Sequence, residues 1–380
     1  MFWEKEGKLI YSYDGETVCI EAWGKDALRV RATKNRSFTG RDWALEAKDA
    51  HAGEVEIFED PSAKGGAFAN MYEGTDTSYG KITNGKLHAV IDSGSVITFY
   101  HEDGRVLLKE HFRRLRDEES MPLNIMGREY SNGVGDNFRI VARFVARKGE
   151  KIFGMGQYQQ HELDLKGCML ELAQRNSQVS VPFYLSSIGY GFLWNNPGVG
   201  QVMFANNGTE WVTESGKEID YLVIAGDTPA EIEENYMTLT GKPPMMPEYG
   251  MGFWQCKLRY WNQEQLLSVA RKYKELGVPL DVIVVDFFHW TKQGEFKFDP
   301  KYWPDVPGMC RELKEMGIQV VVSVWPTVDI YSENFEEMKE KGYLVRTEHG
   351  VPLTMLCGGN EVFFDATNPD ARTYVWEKIK

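Results

Sequence analysis

Three short stretches carry the side chains best suited to chemistry. They are Trp254-Gln255-Cys256-Lys257-Leu258-Arg259-Tyr260, Val285-Asp286-Phe287-Phe288-His289-Trp290 and Val324-Trp325-Pro326-Thr327. Together they offer a carboxylate, two cations, a histidine and a wall of aromatic rings. That combination suits a sugar. Pyranose C–H faces pack on aromatic surface, while hydroxyls need carboxylate and guanidinium partners in fixed directions. Asp286 ends an apolar run, where a lone carboxylate requires partners, either a ligand's hydroxyls or neighbouring loop amides. Trp325 either stacks on the sugar or plugs the end of the sheet. Arg259 either touches ligand or caps the adjoining helix. His289 reads as a supporting loop residue, and Glu295 and Asp299 as exposed charges of a polar loop.

The elements that must position these residues follow from periodicity and turn chemistry. After residue 250 the pattern alternates strand and helix. Met251 to Gln255 reads as a short strand. Asn262 caps a helix whose Leu266, Ala270 and Tyr273 share a face and which stops at Gly277. Asp281 to Phe288 is a near-continuous apolar run, the mark of a strand buried on both faces of a parallel sheet. Helices over 305–316 and 333–341 flank a third strand, Gln319 to Trp325. In a (β/α)8 barrel, functional side chains stand at the C-terminal ends of such strands. No GxGxxG follows any of them, so nucleotide binding has no local support.

From residue 1 to about 226 the pattern is β. Period-two runs alternate with Asp14-Gly15, Asn84-Gly85, Asp103-Gly104, Asn132-Gly133 and Asn207-Gly208 turns, as in an antiparallel sandwich. Thr228-Pro229-Ala230-Glu231 starts a helix that should run to Thr240 and stop at Gly241. Three prolines between Gly241 and Tyr249 mark a linker. The expected fold class is therefore multidomain β plus α/β. It assigns 1–240 to an N-terminal β-sandwich, 241–249 to a linker and 250–380 to the first part of a (β/α)8 barrel.

Composition narrows the partners. The 380 residues hold 43 Lys and Arg against 56 Asp and Glu, a net charge of −13, which disfavours nucleic acid and anionic membrane. No run approaches the roughly 18 apolar residues of a membrane span, and the first residues lack a signal-peptide pattern. Five scattered cysteines without a CxxC pair suggest neither zinc nor a redox couple. They read as buried free thiols in a reducing cytoplasm. No cofactor and no metal is expected, and the composition is compatible with a homo-oligomer.

Several segments resemble glycoside hydrolase family 31. They are Gly252 to Tyr260, Asp286-Phe287-Phe288, Phe296-Lys297-Phe298-Asp299-Pro300 with Trp303-Pro304-Asp305, Val322-Ser323-Val324-Trp325-Pro326 and Asp365 to Ala371. Phe153-Gly154-Met155-Gly156-Gln157, Val181 to Ser187 and Gly189 to Trp194 continue the likeness into the N-terminal half. The resemblance implies a retaining α-glycosidase that acts on an oligosaccharide. It implies that Asp286 binds hydroxyls of the sugar in the −1 subsite, that Phe288 and Trp325 form its apolar walls, and that Asn176 reaches substrate from a sandwich loop. The wording around Gln255-Cys256-Lys257 and Ser323-Val324-Trp325-Pro326 is similar to the α-xylosidase branch, with terminal xylose preferred to glucose. Family members carry their nucleophile at the end of the fourth barrel strand and the acid/base later. A retaining mechanism needs both carboxylates, about 5–5.5 Å apart. No catalytic carboxylate is therefore assigned, and the chain is expected to be a fragment that is inactive alone, cut before strand four. The alternative is a non-catalytic carbohydrate-binding remnant of such an enzyme.

Overall fold

The structure, a computed structural model, describes residues 1–58, 78–111, 125–347, 349–355 and 360–380. It forms two compact units, Met1–Pro243 and Pro244–Lys380. Cys357 lies outside the described residues.

The first unit is an antiparallel β-sandwich. A nine-stranded sheet runs from the N-terminal strands Phe2–Lys5, Lys8–Tyr13, Glu16–Trp23 and Ala27–Thr33 to Ile219–Ala225, Tyr190–Trp194, Val179–Ser186 and Ile152–Gln157, with the short Ala50–His51 pairing on Glu16–Trp23. Two five-stranded sheets complete it, one centred on Leu87–Asp92 and one on Thr209–Gly216. The hairpin between Lys8–Tyr13 and Glu16–Trp23 closes as its turn residues require. Asp14 and Gly15 both adopt positive φ (50° and 74°) between the paired Tyr13 and Glu16, the geometry that matches strand twist. Inward residues of all three sheets meet in one core, with Ile20 and Val30 from the first, Ile91 and Phe99 from the second, and Phe204 and Trp211 from the third. The helix Pro229–Thr240 covers one face. Thr228 Oγ1 accepts from the Glu231 amide at 3.2 Å, and Gly241 ends the helix at φ 98°.

In the second unit the strands Trp254–Gln255, Val282–Val285 and Gln319–Val322 form a parallel three-stranded sheet with the middle strand at its centre. The connecting helices are Gln263–Glu275, capped by Asn262, and Val306–Glu315, capped by Asp305. Leu266, Ala270, Met309 and Leu313 face Ile283 and Val285 in a separate core. An antiparallel hairpin, Thr327–Asp329 with Glu361–Phe363, and the helices Phe335–Glu340 and Pro369–Ile379 complete the unit. All three sheet strands are shorter than periodicity alone suggests. A 3-10 turn over Glu248–Met251 delays the first. The middle strand stops at Val285 because the Asp286 carboxylate accepts from the Phe287 amide (2.8 Å) and Phe288 turns to φ 63°. The third stops at Val322, one residue after which Ser323 donates to the Val285 carbonyl at 2.9 Å.

Candidate active site

Parallel register gathers the C-terminal ends of the three strands. Val285 pairs with Val322 and Gln255 with Ile283, so Asp286, Ser323 and Cys256 emerge on one end of the sheet. Asp286 is half-buried. Its Oδ1 accepts the Phe287 amide, its Oδ2 accepts the Cys256 thiol at 3.5 Å, and its backbone carbonyl accepts His289 Nδ1 at 3.1 Å. Loop amides therefore occupy only part of the carboxylate, leaving lone pairs for a ligand's hydroxyls.

Aromatic rings cluster at the same strand ends. Phe287 packs edge-on against Phe288 (4.5 Å between centroids) and lies 5.4 Å from Trp325, which in turn meets Trp290 at 6.4 Å. Phe288 is 54% exposed despite its size. A bulky residue at positive φ is a conformational outlier, and such strain concentrates where function fixes geometry. Arg259 does not cap a helix. Its guanidinium lies 3.9 Å from the Trp261 ring centroid and 5.0 Å from that of Phe288, a cation held by two aromatic rings. Thus Asp286, Phe288, Trp325 and Arg259 share one end of the sheet.

The loop that follows is more structured than its polarity suggests. Glu295 is buried, not exposed, and Lys297 Nζ approaches it at 4.0 Å. The reason is tertiary, because the loop folds back over the 327–329 hairpin. Gln293 donates to Thr327 Oγ1 at 2.6 Å, and Asn334 donates to the Gly294 carbonyl at 2.8 Å. Gly294 has φ 83°, and a Cβ there would lie 2.7 Å from Val328 Cα. Asp299 is half-buried and accepts the Lys301 amide. His289 is buried, and burial holds its imidazole below the ordinary range. The cysteines also depart from expectation. Cys19 is buried, but Cys256 and Cys310 are exposed. Burial and the Asp286 charge push the Cys256 thiol up.

Asn176 belongs to the first unit. It sits exposed on a turn closed by the Arg175–Gln178 bridge, with Ser177 at φ 63°. The Gln174 amide braces that turn by bonding both the amide and the carbonyl of Ser180. Sequence reasoning missed two members of the site in the second unit, Cys256 as a partner of Asp286 and Trp261 as a platform for Arg259. The register with the Asp286 strand signals the first. A tryptophan just before a helix cap, two residues from an arginine, signals the second.

Comparison with known proteins bears on this architecture. Residues 17–202 match a glycosyl hydrolase 31 N-terminal galactose mutarotase-like domain, and residues 243–380 a glycosyl hydrolases family 31 TIM-barrel domain. An uncharacterized family 31 glucosidase of Pseudescherichia vulneris is 42% identical over 99% of this chain and 70% of its own length. The chain belongs to glycoside hydrolase family 31. Alpha-xylosidase A of Aspergillus niger is 29% identical over 96% of this chain and 50% of its own. A solved GH31 alpha-xylosidase from a soil metagenome, complexed with xylose, superposes with a TM-score of 0.89. It is 46% identical, and the match covers all of this chain and 55% of that one. The chain thus spans about half the length of these two family 31 xylosidases. The sandwich followed by the start of a TIM barrel is the family's N-terminal architecture. Among the described residues, no helix is long and apolar enough to cross a membrane.

Proposed function

We propose that the chain forms the N-terminal part of a retaining α-glycosidase that removes terminal α-linked xylose from oligosaccharides. The observation that carries this reading is the strand-end cluster itself, a partly unsatisfied Asp286 carboxylate beside Phe287, whose ring packs against both Phe288 and Trp325. Asp286 accepts hydroxyls of the −1 sugar, the rings pack on its apolar face, and Arg259 offers donors along the rim. Xylose is favoured over glucose by the 46% identity to the soil-metagenome xylosidase.

A displacement with retention needs a nucleophile and a proton donor about 5–5.5 Å apart. Asp286 shares its hydrogen bonds with an amide, a thiol and an imidazole, not with a second carboxylate. In this reading it binds, and the two reacting carboxylates come from sequence beyond Lys380. The proposed setting is a reducing cytoplasm, supported by the four free thiols among the described residues.

The test is turnover of p-nitrophenyl α-xyloside. The 380-residue chain should give none, whereas a chain continued through the remainder of the barrel should hydrolyse it faster than the α-glucoside. Hydrolysis by the 380-residue chain, or preference for the glucoside by the longer one, overturns the corresponding part of the proposal. Sugar binding without turnover in the longer chain would favour the carbohydrate-binding remnant.

A further inference from the structure

The sandwich unit has a cavity of its own, of about 740 Å³, lined by Arg36, Arg41, Trp43, Asp136, Asn196 and Lys217 among others. That volume lies within the range of small-ligand sites. Its most unusual member is Trp43, with φ 53° and 44% of its surface exposed. A left-handed conformation is costly for a bulky side chain, and an exposed indole recovers little of that cost by burial.

The conformation persists because both neighbours are clamped from beneath. The fully buried Arg29 guanidinium donates to Asp42 Oδ1 at 2.7 Å and to the Arg41 carbonyl at 2.9 Å. Buried Asn195 donates to the Asp42 carbonyl at 3.1 Å and accepts the Ala44 amide at 3.3 Å. Farther along the loop, the amide and hydroxyl of Thr39 both donate to buried Glu218, at 2.8 and 3.0 Å. A rigid loop therefore holds a strained aromatic ring at the wall of a cavity. Strain maintained by its surroundings is a mark of a functional position.

The polar groups around the ring define the ligand class. Arg41 lies over the Trp43 ring at 5.3 Å, and neither Arg36 nor Arg41 has an ion-pair partner among the described residues. Lys217 is paired with Asp136 at 2.7 Å, so that pair is neutral beside the two guanidinium groups. An aromatic face flanked by guanidinium and amide groups matches the alternating C–H faces and hydroxyls of a sugar chain.

We propose that this cavity is an oligosaccharide-binding subsite, with Trp43 stacking on a pyranose face and Arg36, Arg41 and Asn196 taking its hydroxyls. It stands on the first unit alone and is independent of the role given to Asp286. The probes are xylohexaose and maltohexaose, titrated into the 380-residue chain by calorimetry and by saturation-transfer NMR. At least one should bind, Trp43→Ala and Trp43→Gly should each weaken it about tenfold, and Asp286→Ala should leave it unchanged. Trp43→Gly also relieves the positive φ, so its melting temperature should equal or exceed that of the parent while binding weakens. No binding of either hexasaccharide up to about 10 mM overturns the proposal. So does unchanged affinity in Trp43→Gly. A lowered melting temperature with retained binding would assign the indole to packing.

Discussion

Asn195 offers a demanding test of how the sandwich positions its loop. Its side chain is 3% exposed and makes three hydrogen bonds. Nδ2 donates to Asp220 Oδ2 at 2.8 Å and to the Asp42 carbonyl at 3.1 Å, and Oδ1 accepts the Ala44 amide at 3.3 Å. Asn195→Ala leaves a carbonyl and an amide without this partner and takes one donor from a fully buried carboxylate. Hydrogen bonds contribute about 0.5–1.5 kcal/mol each when neutral and about 1.5–3 kcal/mol when charged, and orphaned buried partners push the loss upward. Allowing for non-additivity, the cost is about 3 kcal/mol. In a unit of this size 1 kcal/mol moves the melting temperature by roughly 2–4 °C, so a fall of about 6–12 °C is expected. Calorimetry of the whole chain, following the first unit's transition, measures it. Asn195→Leu should be nearly as damaging, because it restores volume but not partners. Hexasaccharide binding should fall in step, since Trp43 then escapes its strained conformation. A shift under about 2 °C, or full recovery by leucine, would refute the clamp.

Three further outcomes follow from the same geometry. Burial holds the His289 imidazole below its ordinary value of 6.5, so the folded second unit binds fewer protons than the unfolded chain. Its stability should rise with pH up to 6.5 and level off above, and His289→Gln should flatten that rise in pH-dependent melts. Cys256 is exposed, but its thiol is raised by burial and by the Asp286 charge. Asp286→Asn should therefore speed its alkylation by iodoacetamide at pH 8, read by peptide mass spectrometry; an unchanged rate would separate the two groups. A Cβ on Gly200 would lie 1.8 Å from the Val212 carbonyl oxygen inside a sheet. Gly200→Ala should cost more than about 4 kcal/mol and appear as loss of the first unit's cooperative melt in circular dichroism.

Features decided by a few adjacent residues are legible in the sequence. Asp14-Gly15, the Thr228 and Asn262 caps and the apolar 282–285 run each carry their signal locally, and the elements form where those signals stand. The strand-end cluster is legible because parallel register follows from the order of strands and helices. Features set by tertiary contact are less so. Glu295 reads as exposed because its neighbours are polar, and only the fold-back onto Thr327 and Asn334 buries it. The guanidinium of Arg259 is held by Trp261 and Phe288, the second of which is remote in sequence. The positive φ of Trp43 depends on Arg29 and Asn195, which no local pattern connects to it.

The central claim is that Asp286 anchors a terminal xylosyl residue among the rings of the strand ends. Calorimetric titration of D-xylose, which the enzyme cannot hydrolyse, into the chain continued through the whole barrel, as parent and as Asp286→Asn, tests it directly. Losing a charged acceptor removes about 1.5–3 kcal/mol, so affinity should fall roughly 10–150-fold while the melting temperature changes little. Equal affinity in the two proteins would contradict the account.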